Sequence, residues 1–122
     1  MINIVVGGQM EKQAIAKKIE ELGGDRIAVT VKSDMEGALA LKNNEADYYI
    51  GACHTGGGAI AMPIAMVGRK LCATVSSPGK PPKEEDIAEH VRSGVKAFGF
   101  AVDHIDEVVS AIVRQLLAAA KG

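Results

Sequence analysis

The chain is poor in the residues that build a stacking or polyanion-binding surface. It has no tryptophan, two tyrosines and two phenylalanines, 3% aromatic in all, so stacking on bases or sugar rings is weakly supplied. Fourteen Lys and Arg are offset by fifteen Asp and Glu, for a formal net charge of −1, and without a basic field nothing gathers a phosphate backbone. No nucleic-acid partner is expected. No apolar run reaches the roughly 18 residues of a membrane span, and the opening "MINIVV" lacks the basic start and apolar length of a secretory signal. We therefore expect a cytoplasmic protein. Cysteine is scarce too, and Cys53 and Cys72 read as reduced thiols rather than a bridge. Cys53 and His54 point to opposite sides of an extended chain and no second ligand pair exists, so neither a metal nor a cofactor is expected.

What is present is an ordinary globular composition, 48% hydrophobic and 24% charged over 122 residues. That length fits one domain, 1–122, which on folding buries about two thirds of its surface. "INIVV", Ile2–Val6, reads as a strand buried on both faces. "MEKQAIAKKIEEL" sets Ile15, Ile19 and Leu22 at helical spacing before the stop at Gly23 and Gly24. "RIAVTV" is a second strand, and Ser33 three residues before Glu36 opens the helix "MEGALALKNNE" with a capping box. "DYYIGA" is strand three, an apolar helix covers Ile60–Val67, and "KLCATV" is strand four. The loop "SSPGKPPKE", the helix "EEDIAEHVRSG" and the strand "VKAFGFAV" follow; Asp103 then caps a last helix through "AAA". Five strands alternating with helices give a doubly wound, mostly parallel α/β sheet, flavodoxin- or Rossmann-like, with helices on both faces. The order 2-1-3-4-5 suits five units of this size.

In such a sheet ligands bind beyond the strand ends where the order reverses, here between strands one and three. Both strands end in glycine: Gly7 and Gly8 after the first, then "CHTGGG", Cys53 to Gly58, after the third. Glycine leaves room for a ligand against the backbone, and consecutive N–H groups can converge on an anion. The plain alternative is a turn that only lets helix and strand pack closely. We expect Gly7, Gly8, His54, Thr55, Gly56, Gly57 and Gly58 to face a small anionic metabolite, with Ser76, Ser77 and Lys80 of the loop after strand four closing over a phosphate. Cys53 lies before a helix N-terminus, whose dipole favours the thiolate; as a packing residue it would be a small buried hydrophobe. Cys72, inside an apolar strand, reads as core. The outer face of "AIAMPIAMV" is so poor in polar residues that a homo-oligomer is expected.

Two resemblances bear on function. "SDMEGAL", "DYYIGACHTGGGAIAMPIAMVG", "SSPGKPPKEEDIAEHV" and "VKAFGFAVDHIDEVV" together resemble a small bacterial family of unknown function, DUF2620, over almost the whole chain. That likeness implies a small glycine-rich cytoplasmic protein of the kind that accompanies membrane transporters and enzymes of sugar or amino-acid breakdown. "CHTGGG" also resembles the C-G-T-G-x-G loop of the B-type ribose-5-phosphate and galactose-6-phosphate isomerases. By that likeness Cys53 is the base that removes the proton next to a carbonyl, and the amides around Thr55, Gly56, Gly57 and Gly58 hold the enediolate oxygen. Two positions depart from it. Those isomerases carry an Asp-His pair after strand one, where this chain has Gly7, Gly8 and Gln9, and His54 replaces a glycine. An acid for ring opening would have to come from His104 or His54.

Three functional classes follow: a binding protein for a phosphorylated or carboxylated metabolite, an isomerase-like enzyme using Cys53, and an accessory subunit of a sugar or metabolite transporter. The third resembles the small B components of sugar phosphotransferase systems, whose phosphorylated cysteine follows strand one; Gly7 and Gly8 offer none.

Overall fold

The computed structural model describes residues 1–121. Its elements run β1 (Ile2–Gly8), α1 (Lys12–Gly23), β2 (Ile27–Val31), α2 (Asp34–Lys42), β3 (Tyr48–Cys53), α3 (Ala61–Val67), β4 (Cys72–Thr74), α4 (Glu84–Arg92), β5 (Ala97–Ala101) and α5 (Ile105–Lys121). All strand pairings are parallel. The doubly wound α/β class read from the sequence is the one observed.

The strand order is β2-β1-β3-β5-β4, so the last two strands are exchanged relative to the expected 2-1-3-4-5. Burial accounts for the exchange. Every residue of β5, "AFGFA", is buried, which requires a neighbour on each edge. β4 is only three residues long and ends on exposed Thr74, as an edge strand can. The exchange leaves the β1/β3 switch point in place and sets the end of β5, rather than β4, beside Cys53.

Alternate residues supply the two faces. Ile4, Val6, Ile50, Phe98 and Phe100 pack with Ile15, Ile19, Ile87, Val109 and Ile112 from α1, α4 and α5. Val5, Tyr49 and Ala97 face the other way, toward Ala40 and Leu41 of α2 and Ile60 before α3. Fully burying Phe98 or Phe100 contributes about 1.5–3 kcal/mol each. Leu22, expected on the buried stripe of α1, is instead 42% exposed, and Ala16 takes the inner position. The Ser33 cap forms as read, its hydroxyl accepting from Glu36 N at 3.1 Å. Asp103 does not start α5; it sits inside a single 3₁₀ turn, Val102–His104, that precedes the helix.

On the α2/α3 face, Gly7, Gly51 and Gly99 are aligned across β1, β3 and β5. A Cβ on Gly7 would stand 2.4 Å from the Tyr49 ring, and one on Gly99 would stand 2.6 Å from the Gly56 carbonyl oxygen. This bare row lets the segment between β3 and α3 fold back onto the sheet, and that contact shapes the site.

Candidate functional site

Cys53 is the last residue of β3 and is 3% exposed. The chain turns immediately after it, and Gly56, at φ +93°, brings its own amide back to donate to the Cys53 sulfur at 3.0 Å. Only glycine fits there, because a Cβ would lie 2.4 Å from the Ser76 carbonyl oxygen. The Thr55 hydroxyl lies 3.7 Å from the sulfur. Burial pushes the thiol up, but hydrogen bonds from the Thr55 side chain and from the amides of Thr55, Gly56 and Ala59 outweigh it and hold Cys53 below an ordinary thiol. Two of the amides expected to receive a ligand anion, those of Thr55 and Gly56, are therefore directed at the protein's own sulfur. The expected helix terminus is not the cause, since α3 begins only at Ala61 after a 3₁₀ turn over Gly58–Ile60. Cys72, read as core, is only half-buried at the start of edge strand β4, where it packs against the α2/α3 cluster; burial raises its thiol against the lowering influence of Arg69, and its sulfur donates to Gly68 O at 3.4 Å.

The remaining expected residues divide into those used internally and those facing outward. Gly7 makes room for Tyr49, and Gly8 N donates to the Tyr49 hydroxyl at 2.7 Å, so the Gly8 amide is used within the protein. His54, Thr55 and Gly57 are exposed, and a side chain built at Gly57 would meet nothing within 4 Å. The open side of the loop is thus at Gly57. Gln9, which the pattern of strand-end glycines did not single out, extends over this side: a Cβ on Gly58 would stand 3.5 Å from the Cys53 sulfur and 3.8 Å from Gln9 Nε2.

Across the loop, Ser76 is 5% exposed; its hydroxyl accepts from Ala101 N at 3.0 Å and pairs with His104 Nδ1 at 3.1 Å. His104 is thereby fixed three residues past Ala101, the β5 partner of Cys53. Thr74 and Ser76 both touch the Gly56 position and both line a cavity of about 610 Å³, together with Ser77, Lys80, Lys83 and Asp86. Paired backbone bonds between Ser77 and Lys80, with Gly79 at φ +76°, close the turn that carries these groups. Among the described residues no cluster of three His, Cys, Asp or Glu is placed to hold a metal ion, and no helix is long and apolar enough to cross a membrane.

The family described as "Protein of unknown function DUF2620" matches residues 2–116, and the chain belongs to it. It is 36% identical over 117 residues to "Uncharacterized protein YhfU" of Escherichia coli strain K12, covering 95% of this chain and 99% of that one. The Shigella flexneri protein of the same description matches equally. Among solved structures the chain is similar to ribose-5-phosphate isomerase B of Giardia lamblia, with a TM-score of 0.72, 17% identity and coverage of 95% of this chain and 94% of that one. It is also similar to the type B ribose 5-phosphate isomerase of Trypanosoma cruzi, with a TM-score of 0.66, 14% identity and coverage of 95% and 83%. At these identities the likeness is one of fold.

Proposed function

We propose that this chain binds a small phosphorylated or carboxylated metabolite at the ends of β1 and β3, with the ligand's carbon skeleton beside Cys53 and its anionic group toward Lys80 and Lys83. The observation that carries this reading is the Cys53 sulfur, ringed by amides at the β1/β3 switch point, where open α/β sheets bind their ligands. The glycine loop serves the thiolate, and the ligand approaches over Gly57, within reach of Gln9 and His54. The Ser76 and Ser77 hydroxyls and the two lysines offer the anionic group its donors.

A second reading, proton transfer, is favoured by the lowered thiol. The Cys53 thiolate takes a proton from the hydroxyl-bearing carbon beside a carbonyl, and the C–H electron pair becomes the C=C bond of an enediolate as the C=O pair moves onto oxygen. The hydroxyl proton passes to that oxygen, and the thiol returns its proton to the former carbonyl carbon as the new C=O forms. Protons and electrons balance without a co-reactant. The isomerase likeness in fold supports this chemistry, while Gln9, a neutral amide where those isomerases carry their Asp-His pair, favours an open-chain substrate that needs no acid for ring opening.

The experiment is a thermal-shift screen of sugar phosphates and dicarboxylates, repeated on Gly57→Val and Cys53→Ala. A ligand that raises the melting temperature of the wild type and loses its effect in Gly57→Val supports binding; turnover that vanishes in Cys53→Ala supports catalysis. No stabilisation by any member of the panel sinks the reading.

The proposal includes a homo-oligomer that covers α2 and α3, where Met35 and Leu39 are 53% and 38% exposed and Met62 and Met66 are half-buried. A cytoplasmic location and an accompanying transporter rest on composition and family resemblance.

A further inference from the structure

Tyr49 is a fully buried phenol in the middle of the sheet, on the same face as Cys53 and four residues before it. Its hydroxyl donates to Ala59 O at 2.9 Å and accepts from Gly8 N at 2.7 Å. Those partners belong to the two glycine turns of the site, the one after β1 and the one after β3. The ring also has space cut for it: a Cβ on Gly7 would come within 2.4 Å of it and one on Gly37 within 3.0 Å. Ala59 is in turn one of the residues whose amide faces the Cys53 sulfur.

We propose that Tyr49 is a positioning residue for Cys53: its hydroxyl, held between Gly8 N–H and the Ala59 carbonyl, ties the two turns together and keeps the Thr55, Gly56 and Ala59 amides aimed at the sulfur. A buried phenol is costly unless both its donor and its acceptor are used, and here both are used on the segments that build the site. Burial also pushes the phenol far up, so it stays protonated and remains a donor to Ala59. On its own loop the Thr55 hydroxyl lies 3.7 Å from the sulfur, and Gln9 Nε2, beyond β1, shares the Gly58 side of it. Tyr49 acts through backbone and not through charge.

The inference concerns the setting of the thiol and not the ligand, so it fails separately from the function proposed above. The test is the rate of Cys53 alkylation by iodoacetamide as a function of pH, read by mass spectrometry with Cys72 as the reference in the same molecule. In Tyr49→Phe the Cys53 curve should move to higher pH, with roughly three- to tenfold slower alkylation at neutral pH once a hydrogen bond of ordinary strength is lost, while the Cys72 curve stays. Gly37→Ala crowds the same ring by a few tenths of an ångström and keeps both hydroxyl partners; it should shift the Cys53 curve in the same direction, and it decides the matter if Tyr49→Phe does not fold. Phe98→Leu, equally buried and remote from the hydroxyl, should leave the curve in place. A Cys53 curve unchanged in every folded Tyr49 or Gly37 variant, or one that moves as far in Phe98→Leu, overturns the proposal.

Discussion

At the scale of single residues, the hydrogen bonds around Cys53 hold its thiol below an ordinary one. A thiol held below its ordinary value adds stability once it ionises more readily in the folded state than in the unfolded one, and keeps that stability when both are ionised. The unfolded thiol titrates near pH 8.5, so the contribution of Cys53 is fully present above that pH and is lost as pH falls through its lower folded value. The stability advantage of wild type over Cys53→Ala should therefore widen between neutral pH and about pH 9 in urea titrations; a gap that is flat or narrows across that range contradicts the ring of amides. The two neighbouring glycines should respond in opposite ways. Gly56→Ala combines φ +93° with a Cβ 2.4 Å from Ser76 O and should cost several kcal/mol or prevent folding, on the order of a strained, overpacked site. Gly57→Val meets open space at an ordinary φ, so its melting temperature should stay near wild type while ligand binding falls.

At the scale of elements, α4 and α5 are joined by Glu84, which accepts from Arg114 at 3.0 and 2.6 Å and from Gln115 at 2.9 Å. The hydrogen bonds from Arg114, then that from Gln115, hold the Glu84 carboxyl down at about 2. A depressed carboxylate stabilises the fold above its unfolded value near 4.3 and loses that contribution as pH falls toward 2. The pair is partly exposed, so solvent screening leaves Glu84→Gln a cost of roughly 0.5–1 kcal/mol at neutral pH. Urea titrations should show that difference shrinking below about pH 4 and in high salt; a difference independent of pH would place the stabilisation in packing instead. The exchange of β4 and β5 also belongs to this scale. It puts Ala101 beside Cys53 and lets Ser76, past the end of the edge strand, reach His104.

At the scale of the whole molecule, the two faces of the sheet are unequally covered. Three helices, α1, α4 and α5, shield one side, whereas α2 and the seven-residue α3 shield the other and leave Met35 and Leu39 outward. Replacing Met35 and Leu39 together by Lys should dissociate the oligomer proposed for that face and leave the fold intact. Light scattering that finds a 12.7 kDa species for the wild type at tens of micromolar would remove the basis for it.

The class of the fold was legible in the chain itself, because strand and helix periodicity alternate five times and the stops fall at Gly23, Gly24 and Gly94, signals that depend only on neighbours along the backbone. That glycine turns follow both β1 and β3 was legible for the same reason. What the amides of that loop hold was decided in three dimensions, since the turn at Gly56 is imposed by Ser76, twenty residues away. The row of Gly7, Gly51 and Gly99 exists only once strand register aligns three separate segments. Tyr49 reads as one more apolar strand residue until Gly8 and Ala59 are brought to its hydroxyl. The strand order likewise depended on which strand could bear an exposed edge, a competition between segments that local periodicity does not rank. Local pattern determines which elements form; contacts between residues distant in sequence determine which atoms meet at the site.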